Sequence, residues 1–282
     1  MNISYINHAG AEFILNGDDL CFVDPAQLHT WEWEYELTAA MGGQGGRAAN
    51  FARRPRTFDL EVRLRGRSRQ DFLDRINSLH AVTDADNVAG QPGRLYAGQQ
   101  YLVCYLAVSG GQPAHPRLSA FATRTLTVLA VEPYWCQDTS FDIHPGSGEY
   151  AGDGGKKYDL RYAYRYGTGL AGNVIINTHY APAPAVITVY GPAVNPSISL
   201  GGNVYGVAVS LASGQRLVID QPRREIYTLD GVGTRVNAFD LRDKDHDIFA
   251  PVPVGENALV YSGDYPLNIT LIHRRSELLW TE

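Results

Sequence analysis

The chain has 282 residues, room for two domains of about 140 residues each, and its 44% hydrophobic and 19% charged content is that of a folded rather than a disordered protein. A formal net charge of −6 argues against nucleic-acid binding, which needs a basic surface. Cys21, Cys104 and Cys136 lack the paired spacing of a zinc or redox site and read as buried thiols of a protein made in a reducing cytoplasm. Residues 1–10 carry no signal-peptide pattern, and the longest apolar run, 101–108, is far short of a membrane segment.

The runs 13–15 and 20–23 flank Asn16-Gly17-Asp18-Asp19, a hairpin signal in which Gly17 is free to take positive φ. Residues 31–37 alternate: Trp31, Trp33, Tyr35 and Leu37 share one face, Glu32, Glu34 and Glu36 the other. A glycine-rich break at 42–46 and a basic run with Arg47, Arg53, Arg54 and Arg56 lead to residues 57–65. There Phe58, Leu60, Val62 and Leu64 point in, and Asp59, Glu61 and Arg63 point out. We read 32–37 and 57–65 as two strands of one sheet, joined by a long loop or hairpin arm.

Ser68 and Asp71 form a capping box, and Phe72, Leu73, Ile76 and Leu79 supply the apolar stripe of a helix at about 68–82. Strand-like runs follow at 94–97, 101–108 and 117–131, so this half is an antiparallel β-sandwich with one packed helix. Residues 131–135, Val-Glu-Pro-Tyr-Trp, close the last run. Pro133 has no ladder donor, and Tyr134 and Trp135 follow it. This is the expected seam between a domain at 1–135 and a domain at 136–282.

Past a glycine-rich stretch, Tyr158, Leu160, Tyr162, Tyr164 and Tyr166 alternate with charged residues. Strands are expected at 173–177, 185–190, 197–200, 204–211, 216–220, 225–228, 257–261 and 267–274. Turn signals such as Asn195-Pro196, Gly201-Gly202, Ser213-Gly214 and Asp230-Gly231 separate them. Many short strands at this spacing predict a β-sandwich or jelly roll, so the chain as a whole is mainly β.

The chemical motifs are weak. Residues 243–247, Asp-Lys-Asp-His-Asp, start like a calcium loop, but Ile248 replaces the required glycine and Glu256 lies too far on; they read as a solvated loop. The glycines at 42–46 are followed by Arg47-Ala48 rather than by the Lys-Ser/Thr of a phosphate loop. The histidines have no metal spacing, Gly-x-Ser-x-Gly is absent, and no cofactor is implied. Glu32, Glu34 and Glu36 serve a glycosidase only if two of them face a cleft; pairing with arginines across strands is the plainer expectation. Tyr162, Tyr164 and Tyr166 are either a glycan-stacking stripe or the packed face of a strand.

Taken in order, these features resemble the distal tail proteins of tailed bacteriophages, the siphovirus-type tail component family. One block carries the strand at 57–65, the helix with Leu73 and Leu79, the Pro92-Gly93-Arg94-Leu95-Tyr96 turn and the closing Glu132-Pro133-Tyr134-Trp135. The other runs from Asn177 through residues 183–192 and Asn195-Pro196 to 214–220, Val254-Gly255-Glu256-Asn257 and a last strand ending at Trp280. Thr178-His179-Tyr180 stands where the family often has a glycine, and 232–253 has no clear counterpart.

The resemblance implies a non-enzymatic virion protein, made in the bacterial host cytoplasm. It implies a hexameric ring between the tail tube protein and the tail tip or baseplate hub protein. The first domain and its arm build the ring. The second, galectin-like, projects outward to hold a receptor-binding or other peripheral baseplate protein. Two core domains use up 282 residues, leaving no room for an inserted carbohydrate-binding module. Candidate ring contacts are Glu32, Glu34, Glu36, Arg47, Arg53, Arg54, Arg56 and Arg63, with pairing inside one subunit as the alternative; Pro133, Tyr134 and Trp135 form the candidate domain junction. The rival functions are a glycan-binding module using Tyr162, Tyr164 and Tyr166, and a polysaccharide hydrolase using the glutamates.

Overall fold

A computed structural model of the chain describes residues 1–16, 21–29, 33–111, 120–145 and 173–279. It contains two compact units, one of Met1–Gln137 with Arg274–Glu282 and one of Asp138–His273.

The first unit contains β1 (Ile3–Ile6), β2 (Glu12–Asn16), β3 (Cys21–Val23), β4 (Glu34–Ala39), β5 (Gly46–Ala52), β6 (Arg56–Arg65), α1 (Arg69–Ala89), β7 (Gly93–Ala97), β8 (Gln100–Gly111) and most of β9 (Phe121–Ile143). The strands β2, β1, β7, β8 and β9 lie in that order, β6 also pairs with β9, and β3 pairs with β6. The alternation at 57–65 meets this sheet as expected. Leu60, Val62 and Leu64 are buried against Leu126, Val128 and Ala130 of β9, while Asp59, Glu61 and Arg63 are exposed.

The expectation that 32–37 and 57–65 share a sheet is corrected. β4 pairs with β5, and the two form a sheet of their own. The alternation of 31–37 therefore signals a two-faced strand but not a core strand, since every residue of β4 is exposed. β5 was hidden because glycine, alanine, arginine and asparagine are poor strand formers.

The helix starts where the capping box predicts. Ser68 Oγ accepts from the Asp71 N–H at 3.1 Å, and Asp71 Oδ2 accepts from the Arg67 N–H at 2.7 Å. It runs past the expected Val82 to Ala89, where Gly90 at φ 64° closes it by donating to Asp86 O. The last two turns were concealed because their inward residues are polar. Thr83 and Asp86 are both fully buried. Thr83 Oγ1 donates back to Leu79 O at 3.0 Å, and Asp86 accepts from Tyr5 and His8 of the chain's first residues. Phe72, Leu79 and Val82 pack into the core, whereas Leu73 is exposed.

The run expected to close at 131–135 continues: β9 extends through Pro133 to Ile143. The register with β8 shifts here, with Leu102 opposite Trp135 and Cys104 opposite Ala130, so that Val103 alone faces residues 131–134. A bulge of this kind needs no ladder donor from the proline. Trp135 is 1% exposed and belongs to the first unit's core, as does Leu278 near the C-terminus.

The second unit contains β10 (Asn173–Asn177), β11 (Ala185–Tyr190), β12 (Ala193–Val194), β13 (Ser197–Leu200), β14 (Asn203–Gly206), β15 (Ser210–Leu211), β16 (Arg216–Asp220), β17 (Glu225–Leu229), β18 (Arg235–Asn237), β19 (Gly255–Tyr261) and most of β20 (Leu267–Arg275). One antiparallel layer orders β18, β17, β16, β11 and β20; the other orders β10, β19, β13 and β14. Ile187, Leu217, Ile219 and Ile269 from the first share a core with Ile175, Ile198, Leu200 and Leu259 from the second, which makes a β-sandwich.

Two buried asparagines tie its loops. Asn177 donates to Val252 O and Pro253 O, each at 3.1 Å, and accepts from the His179 N–H at 3.0 Å. Asn257 donates to Pro253 O and Gly255 O, each at 2.9 Å. Gly201 sits against Asn257 at φ 59°, where a Cβ would lie 2.5 Å from Asn257 Oδ1.

Candidate assembly surface

The β4–β5 arm is the most unusual feature of the first unit. A two-stranded hairpin is marginal alone in water, yet this one hydrogen-bonds to no other described strand. It also leaves large apolar side chains uncovered: Tyr35 is 53%, Leu37 70% and Phe51 58% exposed. Phe51 lies 6.5 Å from Trp33 and 5.9 Å from Tyr35, ring centre to ring centre, so these side chains form one aromatic cluster.

The charged residues of the arm are used locally. Glu34 pairs with Arg54 at 2.7 Å with both side chains exposed, and Glu36 accepts from Asn50 Nδ2 at 2.6 Å. Arg63 stands apart from the arm on the outer face of β6, paired with Glu61 at 3.1 Å. Glu32 lies outside the described residues, and Arg47 is an exposed residue of β5. Glu34 and Glu36 thus stand on an exposed hairpin, not across a cleft as a glycosidase requires.

Arg53 and Arg56 are placed differently, at the foot of the arm. The Arg53 guanidinium lies 5.2 Å from the Trp33 ring centre and 5.0 Å from that of Tyr134, and donates to Ser276 O at 2.8 Å. Arg56 lies 5.2 Å from the Phe58 ring centre. Burial, reinforced by the charge of Arg53, lowers its pKa from the ordinary arginine value. The Arg274 guanidinium also lies near Tyr134, 5.7 Å from its ring centre, and in turn approaches Glu132 at 3.4 Å. Of the candidate junction residues, Pro133 and Trp135 are buried and Tyr134 is half-buried. The sequence shows Arg53 but not its carbonyl partners, because Arg275 and Ser276 lie over two hundred residues further along the chain.

The remaining candidates resolve simply. Tyr162, Tyr164 and Tyr166 lie outside the described residues. In the 243–247 loop, Asp243 accepts from the Asp245 N–H at 2.9 Å and meets His246 Nδ1 at 2.8 Å, while Asp247 accepts from the Phe249 N–H at 3.0 Å. Two of the loop's carboxylates are thus turn acceptors. A cleft of about 190 Å³ is lined by Glu225, Tyr227, Arg235, Asn237 and Phe239 among others. Arg235 lies 3.7 Å over the Tyr227 ring and pairs with Glu225 at 2.8 Å, so it covers the face a sugar would stack on. Among the described residues, no helix is long and apolar enough to cross a membrane.

No family model matches the sequence, and no curated protein matches it significantly. Solved structures do. The SPP1 Dit protein (gp 19.1), described as a paradigm of the hub adsorption apparatus in phages infecting Gram-positive bacteria, is similar with a TM-score of 0.58 at 13% identity, over 97% of this chain and 99% of that one. Chains of the phage P2 baseplate in its activated conformation are similar too. The calcium form gives a TM-score of 0.63 at 12% identity and the strontium form 0.62 at 14%, each over 98% of this chain and 99% of that one. The chain therefore has the fold of these phage proteins, mainly β, with one long helix among the described residues.

Proposed function

We propose that this chain is a structural virion protein: a hub subunit that assembles as a ring of six between the tail tube and the tail tip or baseplate of a phage. The observation that carries this reading is the uncovered arm with Trp33, Tyr35, Leu37 and Phe51 at its surface, on a fold shared with the SPP1 Dit and P2 baseplate chains. Monomeric proteins rarely leave a contiguous apolar patch and open strand edges in water. A copy of the same chain covers both when each arm lies on its neighbour, and repeating that head-to-tail contact closes a ring. Glu34, Glu36 and Arg47 of the arm and Arg54 at its end line or flank this contact.

In this reading the second unit is a galectin-like sandwich that holds a receptor-binding or other peripheral baseplate protein. Residues 133–135 mark the exit from the ring-building domain. The chain is not an enzyme. It is made in the host cytoplasm and ends in the virion tail.

Size-exclusion chromatography with light scattering, followed by negative-stain imaging, tests the proposal, with the tail tube protein added as an assembly partner. Sixfold rings are expected from the native chain. Replacing Leu37 and Tyr35 by Asp is expected to abolish rings and leave the fold intact, because exposed substitutions shift stability by only about 0.5 kcal/mol. A native chain that stays monomeric with tube protein present, or rings that survive the double substitution, overturns it.

A further inference from the structure

The arm's own sheet hydrogen-bonds to no other described strand, so something else must set its direction. Trp33 immediately precedes β4 and Arg53 immediately follows β5, and the Arg53 guanidinium lies 5.2 Å from the Trp33 ring centre. The two ends of the arm therefore meet on one side chain. The same guanidinium reaches the body of the unit twice. It lies 5.0 Å from the ring centre of Tyr134 in β9, and it donates to Ser276 O at 2.8 Å with Arg275 O at 3.5 Å.

We propose that Arg53 is a positioning residue: it clamps both ends of the arm to Tyr134 and to the backbone at residues 275–276, and so holds the arm in the direction that assembly needs. A planar fork is suited to this, because it presents a face to two aromatic rings while its edge donates to carbonyls; a lysine has the charge but neither the plane nor the fork. The neighbouring Arg54 makes the contrast. Its partner Glu34 belongs to the arm itself and both side chains are exposed, so it contributes little to placement. The inference rests on the assembly reading for its purpose but not for its geometry. Both anchors are backbone or ring atoms of the same unit.

Hydrogen exchange read by mass spectrometry on the full-length, unassembled chain tests the clamp. Arm peptides covering β4 and β5 are compared with those of α1 in the native protein and in R53M, R53K and R54M. R53M is expected to speed exchange in the arm about tenfold, the loss of one hydrogen bond to a charged donor, with α1 unchanged. R53K, which keeps the charge, falls between, and R54M matches the native chain. Arm exchange unchanged in R53M, or changed no more than in R54M, overturns the proposal. If R53M unfolds the unit and α1 exchanges as well, R53K decides by the same comparison. A loosened arm in a chain that never forms rings leaves the clamp standing and removes the ring; rings formed by R53M with an unchanged arm do the reverse.

Discussion

Asp86 offers the strongest test of how the first unit is held together. It is fully buried on α1 and accepts from the Tyr5 hydroxyl, from the His8 backbone N–H at 2.8 Å and from His8 Nδ1 at 2.6 Å. Burial, with the Asp86 hydrogen bond, pushes the Tyr5 hydroxyl far above its ordinary pKa, so Tyr5 is a neutral donor at any working pH. Replacing Asp86 by Ala leaves that hydroxyl, which is 0% exposed, with only Cys104 O at 3.3 Å, and it strips the His8 N–H as well. A buried hydroxyl left with one long bond, beside the broken contacts to the part-buried His8, puts the cost at roughly 2–4 kcal/mol. Tyr5→Phe removes one donor to a charged acceptor and costs about 1.5–3 kcal/mol. The double variant costs less than the sum, because without the hydroxyl the Ala variant orphans one group fewer. Trp33 and Trp135 belong to the first unit, and Trp135 is buried in its core. Urea unfolding followed by tryptophan fluorescence therefore reports on this unit. A loss below about 1 kcal/mol for Asp86→Ala, or strict additivity, refutes the account of α1 as tied to the N-terminus through a buried carboxylate.

Further outcomes follow from other contacts. Gly93→Ala sets a Cβ 2.5 Å from both Asp86 Oδ2 and Tyr5 Oη and 2.7 Å from Ile6 O; it should lower the unfolding free energy read by the same fluorescence by about 1–3 kcal/mol, and an unchanged value means that the cluster has room. Asp71 is held below its ordinary pKa chiefly by the Arg67 N–H, against a smaller effect of burial and with Arg75 beside it. Its contribution is whole above the unfolded carboxyl value near about pH 4 and is lost as pH falls through the lower folded value. Asp71→Asn should therefore flatten the acid side of the first unit's stability curve and leave no slope change above about pH 6. Asn177→Ala removes donors to Val252 O and Pro253 O and the acceptor for the His179 N–H. It should cost the second unit about 2–3 kcal/mol, seen by calorimetry as a shifted transition.

Local chemistry determined much of this protein. The strands at 173–177, 185–190, 197–200 and 216–220 stand where their short runs and bounding turns put them, because both signals lie in adjacent residues. Ser68 and Asp71 start the helix for the same reason, since a cap is satisfied within four residues. Tertiary structure decided what depended on distant partners. Pro133 sits inside a strand because β9 bulges there, its residues 131–134 standing opposite Val103 of β8 alone. The helix outlasts Val82 because Tyr5 and His8 satisfy Asp86 from the other end of the unit. Residues 31–37 look like a core strand by period, yet β4 meets only β5, and no described core residue covers it. Arg53 looks like its basic neighbours until Tyr134 and the Ser276 carbonyl are brought to it. In each case the compensating group lies tens to hundreds of residues away. A short window of sequence shows the demand for a partner, and only the folded chain brings the partner to it.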